Sequence, residues 1–412
     1  MPDKVRVFMT GIGVVSPIGT GKEQFWTSLL EAKDGIALYE PLQTRNVGAQ
    51  KASLVKDFDS ARWLQGYNYR RLSRYGKFTT ASIELAIQDS GLDLTNIEAT
   101  RKGLIFSTVH GAFEDSVAYI QKLLDLGPSG VSPLKFAQTV DNAPATLVSI
   151  KYQLKGVSTV VEGVSACAVA YDYLTNQQAD IIICGGVDVI ASVEQIIALE
   201  QAGVLAHTQD GLEETSRPGD IRRNGMIYGE AAAFVVLETE QSVQQRQADV
   251  YCEIAGYGAA HDNEAITLLN QRNTEPIIAA MQNALNDAGI AAQQIEYLNS
   301  LANSTPGIDE VEARAIQHVF DGAARLPVST CKGATGETFG ASDALGLIQA
   351  ALSLKHQTIA PIANLTEIDP ACGLQYVTQP PQPHVMEYAL ANSFEVGGNV
   401  QSMVLKNYKD FS

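Results

Sequence analysis

A chain of 412 residues, 45% of them hydrophobic, can bury a large core and suggests two or more domains, or one fold built from two halves. The formal net charge of −17 disfavours long-range attraction to nucleic acid or to an anionic membrane surface. No segment approaches the roughly 18 uninterrupted apolar residues that a membrane helix needs, so we expect a cytoplasmic protein.

The first half of the chain alternates strand patterns with helix patterns. Strands are predicted at residues 5–11, 103–108, 179–190 and 230–239, and helices at residues 21–32, 70–92 (ending at Gly91) and 113–126. The last two strands are continuous apolar runs, which predicts a sheet that is covered on both faces.

A second start follows at residues 250–262, where a strand, glycines and a turn repeat the plan of residues 5–17. Helices are predicted downstream at residues 274–290, 309–320 and 341–356, and strands at residues 295–304, 326–330 and 388–406. We therefore predict an α/β fold of two similar halves, residues 1–249 and 250–412, with layered mixed sheets and helices.

The sequence gives no sign of a cofactor or a metal. The five cysteines are an odd number without C-x-x-C spacing, which argues against a disulfide framework or a zinc site and predicts reduced thiols. The stretch GIGVVSPIG follows a strand, but Ser16 stands where a dinucleotide fingerprint needs its third glycine.

Cys167, in the stretch VSACAVA, is the first candidate for chemistry. A cysteine after a strand and in the first turn of a helix lies near backbone N–H groups and the positive end of the helix dipole, which favour the thiolate and lower the pKa. The same N–H groups can stabilise an oxyanion in acyl transfer. Packing is the alternative, because free cysteines are often buried as small apolar residues.

Several segments, in order along the whole chain, resemble the β-ketoacyl-(acyl carrier protein) synthases of the thiolase-like fold. They include the opening VFMTGIGVVSPIG, the elbow SACAV around Cys167, and SRPGDIRRNGMIYGEAAAFVVLE. In the second half they include NSLANSTPGIDEVE, STCKGATGETFGAS and NSFEVGGNVQSMV.

The resemblance implies a site of one cysteine and two histidines, of which only Cys167 is present. The family histidines fall on Leu301 and Glu337, and the supporting lysine falls on Lys332. Decarboxylation of a malonyl thioester generates an enolate that needs N–H donors. Leucine has none and an ionised glutamate would repel the enolate, so we expect no condensation; a protonated Glu337 would restore one donor at most. Of the other histidines, His110 follows a predicted strand and is the one that could approach the site.

Two further departures concern the gate and the nucleophile helix. The family gate G-F-G-G reads Glu395, Val396 and two glycines here, so its flexible glycine and its phenylalanine are replaced. Eleven residues separate Cys167 from the next predicted strand, which predicts a shortened helix.

Inactive paralogues of this family pair with an active ketosynthase as chain length factors, or ketosynthase β subunits, of type II polyketide synthases. The resemblance therefore implies a heterodimer whose second subunit is the active ketosynthase. The acidic acyl carrier protein would dock mainly on that partner, because this chain is itself acidic. The resemblance places the interface helix at residues 113–127, where Phe113, Ser116 and Ile120 share one face. These residues are candidates for the tunnel wall, and the alternative is that this face only packs against the partner.

Two alternatives remain open. A stand-alone acyltransferase or thioesterase-like enzyme would use Cys167 as an acyl-accepting thiol, and retention of Cys167 and Lys332 favours it. In a pure scaffold Cys167 would only pack.

Overall fold

The structure is a computed structural model that describes residues 4–190, 192–209, 211–264, 272–321 and 325–408. The strands are β1 (Val7–Ser16), β2 (Gly19–Thr20), β3 (Ile36–Leu38), β4 (Lys51–Ser53), β5 (Lys102–Ser107), β6 (Ser158–Val161), β7 (Ile181–Asp188), β8 (Ala231–Thr239), β9 (Cys252–His261), β10 (Tyr297–Asn299), β11 (Pro327–Ser329), β12 (Thr358–Ile359), β13 (Gln375–Tyr376), β14 (Gln382–Pro383), β15 (Tyr388–Phe394) and β16 (Asn399–Asn407).

The α-helices alternate with these strands. They are α1 (Lys22–Leu30), α2 (Glu40–Gln43), α3 (Ser60–Trp63), α4 (Arg74–Ser90), α5 (Phe113–Leu126), α6 (Pro133–Phe136), α7 (Ala143–Tyr152), α8 (Ala166–Thr175), α9 (Val193–Gln201), α10 (Glu240–Arg246), α11 (Thr274–Ala288), α12 (Pro306–Val319), α13 (Lys332–Thr335) and α14 (Ser342–His356). None of the helices in the described ranges is long and apolar enough to span a bilayer.

The main sheet has the order β13-β11-β10-β15-β16-β9-β1-β8-β7-β5-β6, with β2 paired to β1. On the side of β1, the pairs β1–β8 and β8–β7 are antiparallel, and the pairs β7–β5 and β5–β6 are parallel. Outward from β9 the same sequence recurs through β16, β15, β10 and β11. The predicted α/β fold of two similar halves is confirmed by this repeated topology.

Both faces of the sheet are covered by helices. In β5, Ile105 packs into the core that contains α8 and α14, whereas Leu104 and Phe106 pack into the core that contains α4. Alternate side chains of a strand point to opposite faces, so continuous apolar strands are what such a sheet requires.

The glycines near the start of each half allow a helix to lie close to its strand. A Cβ on Gly13 would lie 1.9 Å from the Ser82 carbonyl oxygen of α4, and a Cβ on Gly258 would lie 2.2 Å from the Ala280 carbonyl oxygen of α11. These distances are far below van der Waals contact, so the repeated glycine pattern serves helix packing in both halves.

Two of the predicted strands are corrected by the structure. The strand expected at residues 295–304 ends at Asn299, because the chain then turns into a loop that hydrogen-bonds to Glu312. The closing strand expected at residues 388–406 is a hairpin of β15 and β16, because Gly397 and Gly398 adopt φ of 103° and 101° and turn the chain.

Candidate active site

Cys167 is the second residue of α8, and Ser165 is the N-cap of this helix. The Ser165 hydroxyl accepts a hydrogen bond from the Ala168 N–H at 3.1 Å, which satisfies one of the free donors of the first turn. The same hydroxyl donates to the Asp343 carboxylate of α14. The predicted placement of Cys167 at a helix start is therefore correct, and α8 ends at Thr175 after ten residues, which agrees with the expected short helix.

The expected low pKa of Cys167 is not found. A contact with the Cys184 thiol of β7, complete burial and the nearby Asp343 charge all raise its pKa well above the ordinary value. These effects outweigh the helix dipole, because a thiolate here would lose its hydration and meet another sulfur and a carboxylate. The resting residue is a neutral thiol.

Lys332 and Glu337 form a buried ion pair. Their side chains are 7% and 4% exposed, and the Lys332 ammonium lies 2.9 Å from Oε2 of Glu337. Lys332 also donates to the Leu301 backbone carbonyl at 3.1 Å. The lysine and the two positions that replace the family histidines are thus joined by direct contacts.

Glu337 accepts four hydrogen bonds. Oε2 accepts from the Asn303 amide at 3.0 Å and from Lys332, while Oε1 accepts from the Phe339 N–H at 3.1 Å and from the Ser342 hydroxyl. Burial would raise the pKa of Glu337, but attraction to Lys332 and the hydrogen bonds from Ser342, Lys332 and Asn303 lower it below the ordinary value. The carboxylate is therefore ionised, and the protonated form of Glu337, which the sequence left open, is not the one that this environment favours.

Leu301 supplies no polar side-chain atom. It is 1% exposed, and its backbone N–H donates to Oε1 of Glu312 at 3.0 Å. At the two positions that replace the family histidines, the site accordingly offers an aliphatic group and a negative charge.

The gate segment lies between β15 and β16. Glu395 is buried, while Val396 is half-buried. Burial and repulsion by the Asp343 and Glu337 carboxylates raise the pKa of Glu395 well above the ordinary value. Gly397 and Gly398 both have positive φ angles and form the turn of the hairpin. The turn is therefore kept although residue 395 is not a glycine.

The structure adds three residues that the sequence analysis missed. Asp343 links the cap of α8 to the end of β15, next to the gate, because it accepts hydrogen bonds from Ser165 and Ser393. Arg272 and Lys332 lie 4.8 Å and 4.9 Å from the centroid of the Phe394 ring. No pattern in the sequence marked Asp343, Arg272 or Phe394.

His110 approaches the site from the other side without entering it. Its ring centroid is 5.5 Å from that of Phe339, whose backbone N–H donates to Glu337. Its Nδ1 lies 3.0 Å from the Tyr228 hydroxyl. His110 therefore contacts Phe339, which in turn contacts Glu337.

The three predicted tunnel residues lie apart from this cluster, on α5. No residue of α5 is buried; Phe113 is 37% and Ile120 54% exposed. The Ser116 hydroxyl donates to the Thr139 carbonyl at 3.2 Å. These residues form part of an outer surface of the single chain.

The fold and site together define a class: a duplicated α/β protein with a cysteine at the start of a buried helix, facing residues from the second half. Residues 4–242 match the family described as "Beta-ketoacyl synthase, N-terminal domain", and residues 251–366 match "Beta-ketoacyl synthase, C-terminal domain".

Relatives cover nearly the whole chain. The "3-oxoacyl-[acyl-carrier-protein] synthase 2" of Coxiella burnetii is 33% identical over 99% of this chain and 100% of its own length. The solved structure titled "The ishigamide ketosynthase/chain length factor" has a TM-score of 0.89 at 26% identity, over 98% of this chain and 100% of that one. A beta-ketoacyl synthase from Burkholderia phymatum has a TM-score of 0.87 at 26% identity, with the same coverage. This chain belongs to the beta-ketoacyl synthase family.

Proposed function

We propose that this chain is a chain-length-factor-like subunit of a type II polyketide synthase, or of a related polyene or fatty-acid-like synthase. It pairs with an active ketosynthase and shapes the acyl tunnel, and it does not itself carry out decarboxylative condensation. The observation that carries this proposal is the ionised Glu337, held by Lys332 beside the aliphatic Leu301.

The chemical argument concerns the enolate. Loss of CO₂ from a malonyl thioester places negative charge on the thioester oxygen, and donors aimed at that oxygen stabilise the transition state. Here Lys332 is already paired with Glu337, and the Glu337 carboxylate would repel the enolate. Condensation in this pocket is therefore strongly disfavoured.

A partner subunit is supported by the outer face that includes α5. The exposed large apolar side chains of this face are Phe113, Val117, Ile120, Leu123, Leu124, Leu126, Leu134, Phe136, Val140 and Ile150. Exposed apolar side chains in this number, contributed by α5, α6, α7 and the segment between α6 and α7, are typical of a protein interface. Among the described strands β6 stands at one edge of the main sheet, and an edge strand presents backbone groups that can pair with another chain.

An apolar groove of about 490 Å³ lies next to α5. It is lined by residues of α4, α6 and α7, among them Leu134 and Leu147, and by residues of the neighbouring loops, among them Tyr67 and Val140. Together with Phe113, Ser116 and Ile120 it provides the surface that would limit the length of a growing chain. The acyl carrier protein docks mainly on the partner in this proposal.

Reconstitution with an active ketosynthase tests the proposal. The mixture should elongate malonyl units, and a cysteine-to-alanine change in the partner should abolish elongation while Cys167→Ala in this chain should not. Elongation that survives in the partner variant and is lost in Cys167→Ala would overturn the proposal.

The second candidate is a stand-alone acyltransferase or thioesterase-like enzyme, which retention of Cys167 at a helix start favours. This candidate requires the Cys167 thiol to be deprotonated during acyl transfer. The contact with Cys184, burial and the Asp343 carboxylate all raise the pKa of Cys167 and therefore oppose that step. An acyl adduct on the chain alone, detected by intact mass and absent in Cys167→Ser, would favour this candidate over a chain length factor.

A further inference from the structure

Asp343 connects the start of α14 to the start of α8. It is the second residue of α14 and is half-buried. Its carboxylate accepts a hydrogen bond from the Ser165 hydroxyl, and that hydroxyl accepts one from the Ala168 N–H at 3.1 Å. A carboxylate is thus linked, through the N-cap, to the first turn of the helix that carries Cys167.

The start of α8 is therefore occupied by a negative charge. The first turn of an α-helix carries a partial positive charge of about half an elementary charge, which favours one anion placed there. In α8 the Asp343 carboxylate holds this position. A thiolate at Cys167 would be a second anion at the same helix end, and the two like charges would repel each other.

The surroundings of Asp343 favour its carboxylate form. Burial raises the pKa of Asp343, but hydrogen bonds from Ser165 and Ser393 and the Lys332 charge act in the opposite direction. Its place in the first turn of α14 also favours a negative charge. Lys332 is itself paired with Glu337, so its ammonium does not neutralise Asp343.

The other titratable group that acts on Cys167 carries no charge to remove. This group is the Cys184 thiol of β7, which contacts Cys167. The Glu395 carboxyl, near the gate, is among the groups that feel the Asp343 charge, which raises its pKa. Asp343 is accordingly the charge beside Cys167 that a single substitution can remove.

We propose that Asp343 is a positioning residue that, through Ser165, keeps the Cys167 thiol unreactive towards electrophiles, acyl thioesters included. It holds the anion position at the start of α8, so Cys167 stands where a nucleophile would stand and remains a neutral, packed thiol. The inference concerns the single chain, and it holds with or without a ketosynthase partner.

The test compares alkylation rates of the buried cysteines in the intact chain. The wild-type chain and each variant are treated with iodoacetamide at one mildly alkaline pH, and mass spectrometry of peptides follows each cysteine. Reaction at Cys167 forms a bond from Sγ to carbon, releases iodide and passes the thiol proton to solvent.

Asp343→Asn removes the charge but keeps an oxygen that can accept from Ser165. It should raise the rate at Cys167 by about 3- to 60-fold, because a neighbouring charge shifts a pKa by about 1–3 units and the weaker nucleophilicity of a more acidic thiol offsets roughly half of the gain. Asp343→Glu returns the charge and should react as slowly as the wild-type chain.

Two controls separate this effect from a general loosening of the fold. Cys331 is also buried, and the charges that act on it are those of Lys332 and Glu337, so its rate should not change. Asp172→Asn removes a charge from an exposed side chain of α8 and should leave the rate at Cys167 unchanged.

Equal rates at Cys167 in the wild-type chain and Asp343→Asn would overturn the inference. So would an equal gain in Asp343→Glu, or a gain that Cys331 shares. If Asp343→Asn does not fold, Asp343→Ser is the second neutral variant and the same outcomes apply. No condensation or partner binding is measured, so this test can fail while the proposed function stands.

Discussion

Removal of the Glu337 charge should destabilise the protein strongly. In Glu337→Gln the Lys332 ammonium stays buried, with the Leu301 carbonyl at 3.1 Å and a neutral amide as neighbours. Breaking a buried ion pair by removal of one partner costs about 3–5 kcal/mol, and we expect a loss of that size in the free energy of unfolding.

A double-mutant cycle in denaturant unfolding measures the coupling. Lys332→Met should cost less than Glu337→Gln, because Glu337 keeps the donors Asn303, Ser342 and the Phe339 N–H. The double variant should be more stable than the sum of the two losses predicts, by at least about 1 kcal/mol.

The matched control is Glu387→Gln. Glu387 and Lys406 are 48% and 36% exposed and lie 3.9 Å apart, so this change should cost no more than about 1 kcal/mol. Additive losses in the Lys332 and Glu337 cycle, or a Glu337→Gln loss as small as that of the control, would refute the ion-pair reasoning.

Three further results are expected. With the cognate ketosynthase, Phe113→Ala should lengthen the products by opening the tunnel wall, and an unchanged product distribution in chromatography would remove that assignment. Ile120→Asp should weaken subunit association about tenfold or more in sedimentation, because it places a charge on the apolar face; unchanged association would exclude this face as the interface. Glu395→Gln should raise the thermal midpoint at neutral pH. The pKa of Glu395 is near 4.5 in the unfolded chain and raised in the folded chain, so above pH 4.5 ionisation of Glu395 in the unfolded chain destabilises the folded state. The glutamine does not ionise, so the variant avoids this loss. That gain should vanish below this pH, and a gain that does not depend on pH would contradict the argument.

Much of the fold could be predicted because local patterns and tertiary packing agree. The amphipathic pattern of α5 gave both of its ends, Phe113 and Leu126, and the helix that ends before Gly91 does so with that glycine at φ 64°. The hairpin at residues 388–406 was missed because the apolar runs on either side of Gly397 read as one strand.

The electrostatic state of the site could not be predicted in the same way. Sequence placed Glu337 in the pocket but left its protonation open, because the donors that hold it ionised come from Asn303, Lys332 and Ser342 and meet only in the folded chain. The raised pKa of Cys167 depends likewise on Cys184 of a neighbouring strand and on Asp343.

The most direct test of the central claim is decarboxylation of a malonyl thioester by this chain alone. We expect no CO₂ release and no elongated product above the rate without protein, even when Cys167 is loaded with an acyl group beforehand. Elongation by the unaccompanied wild-type chain at a rate typical of a synthase would contradict the account.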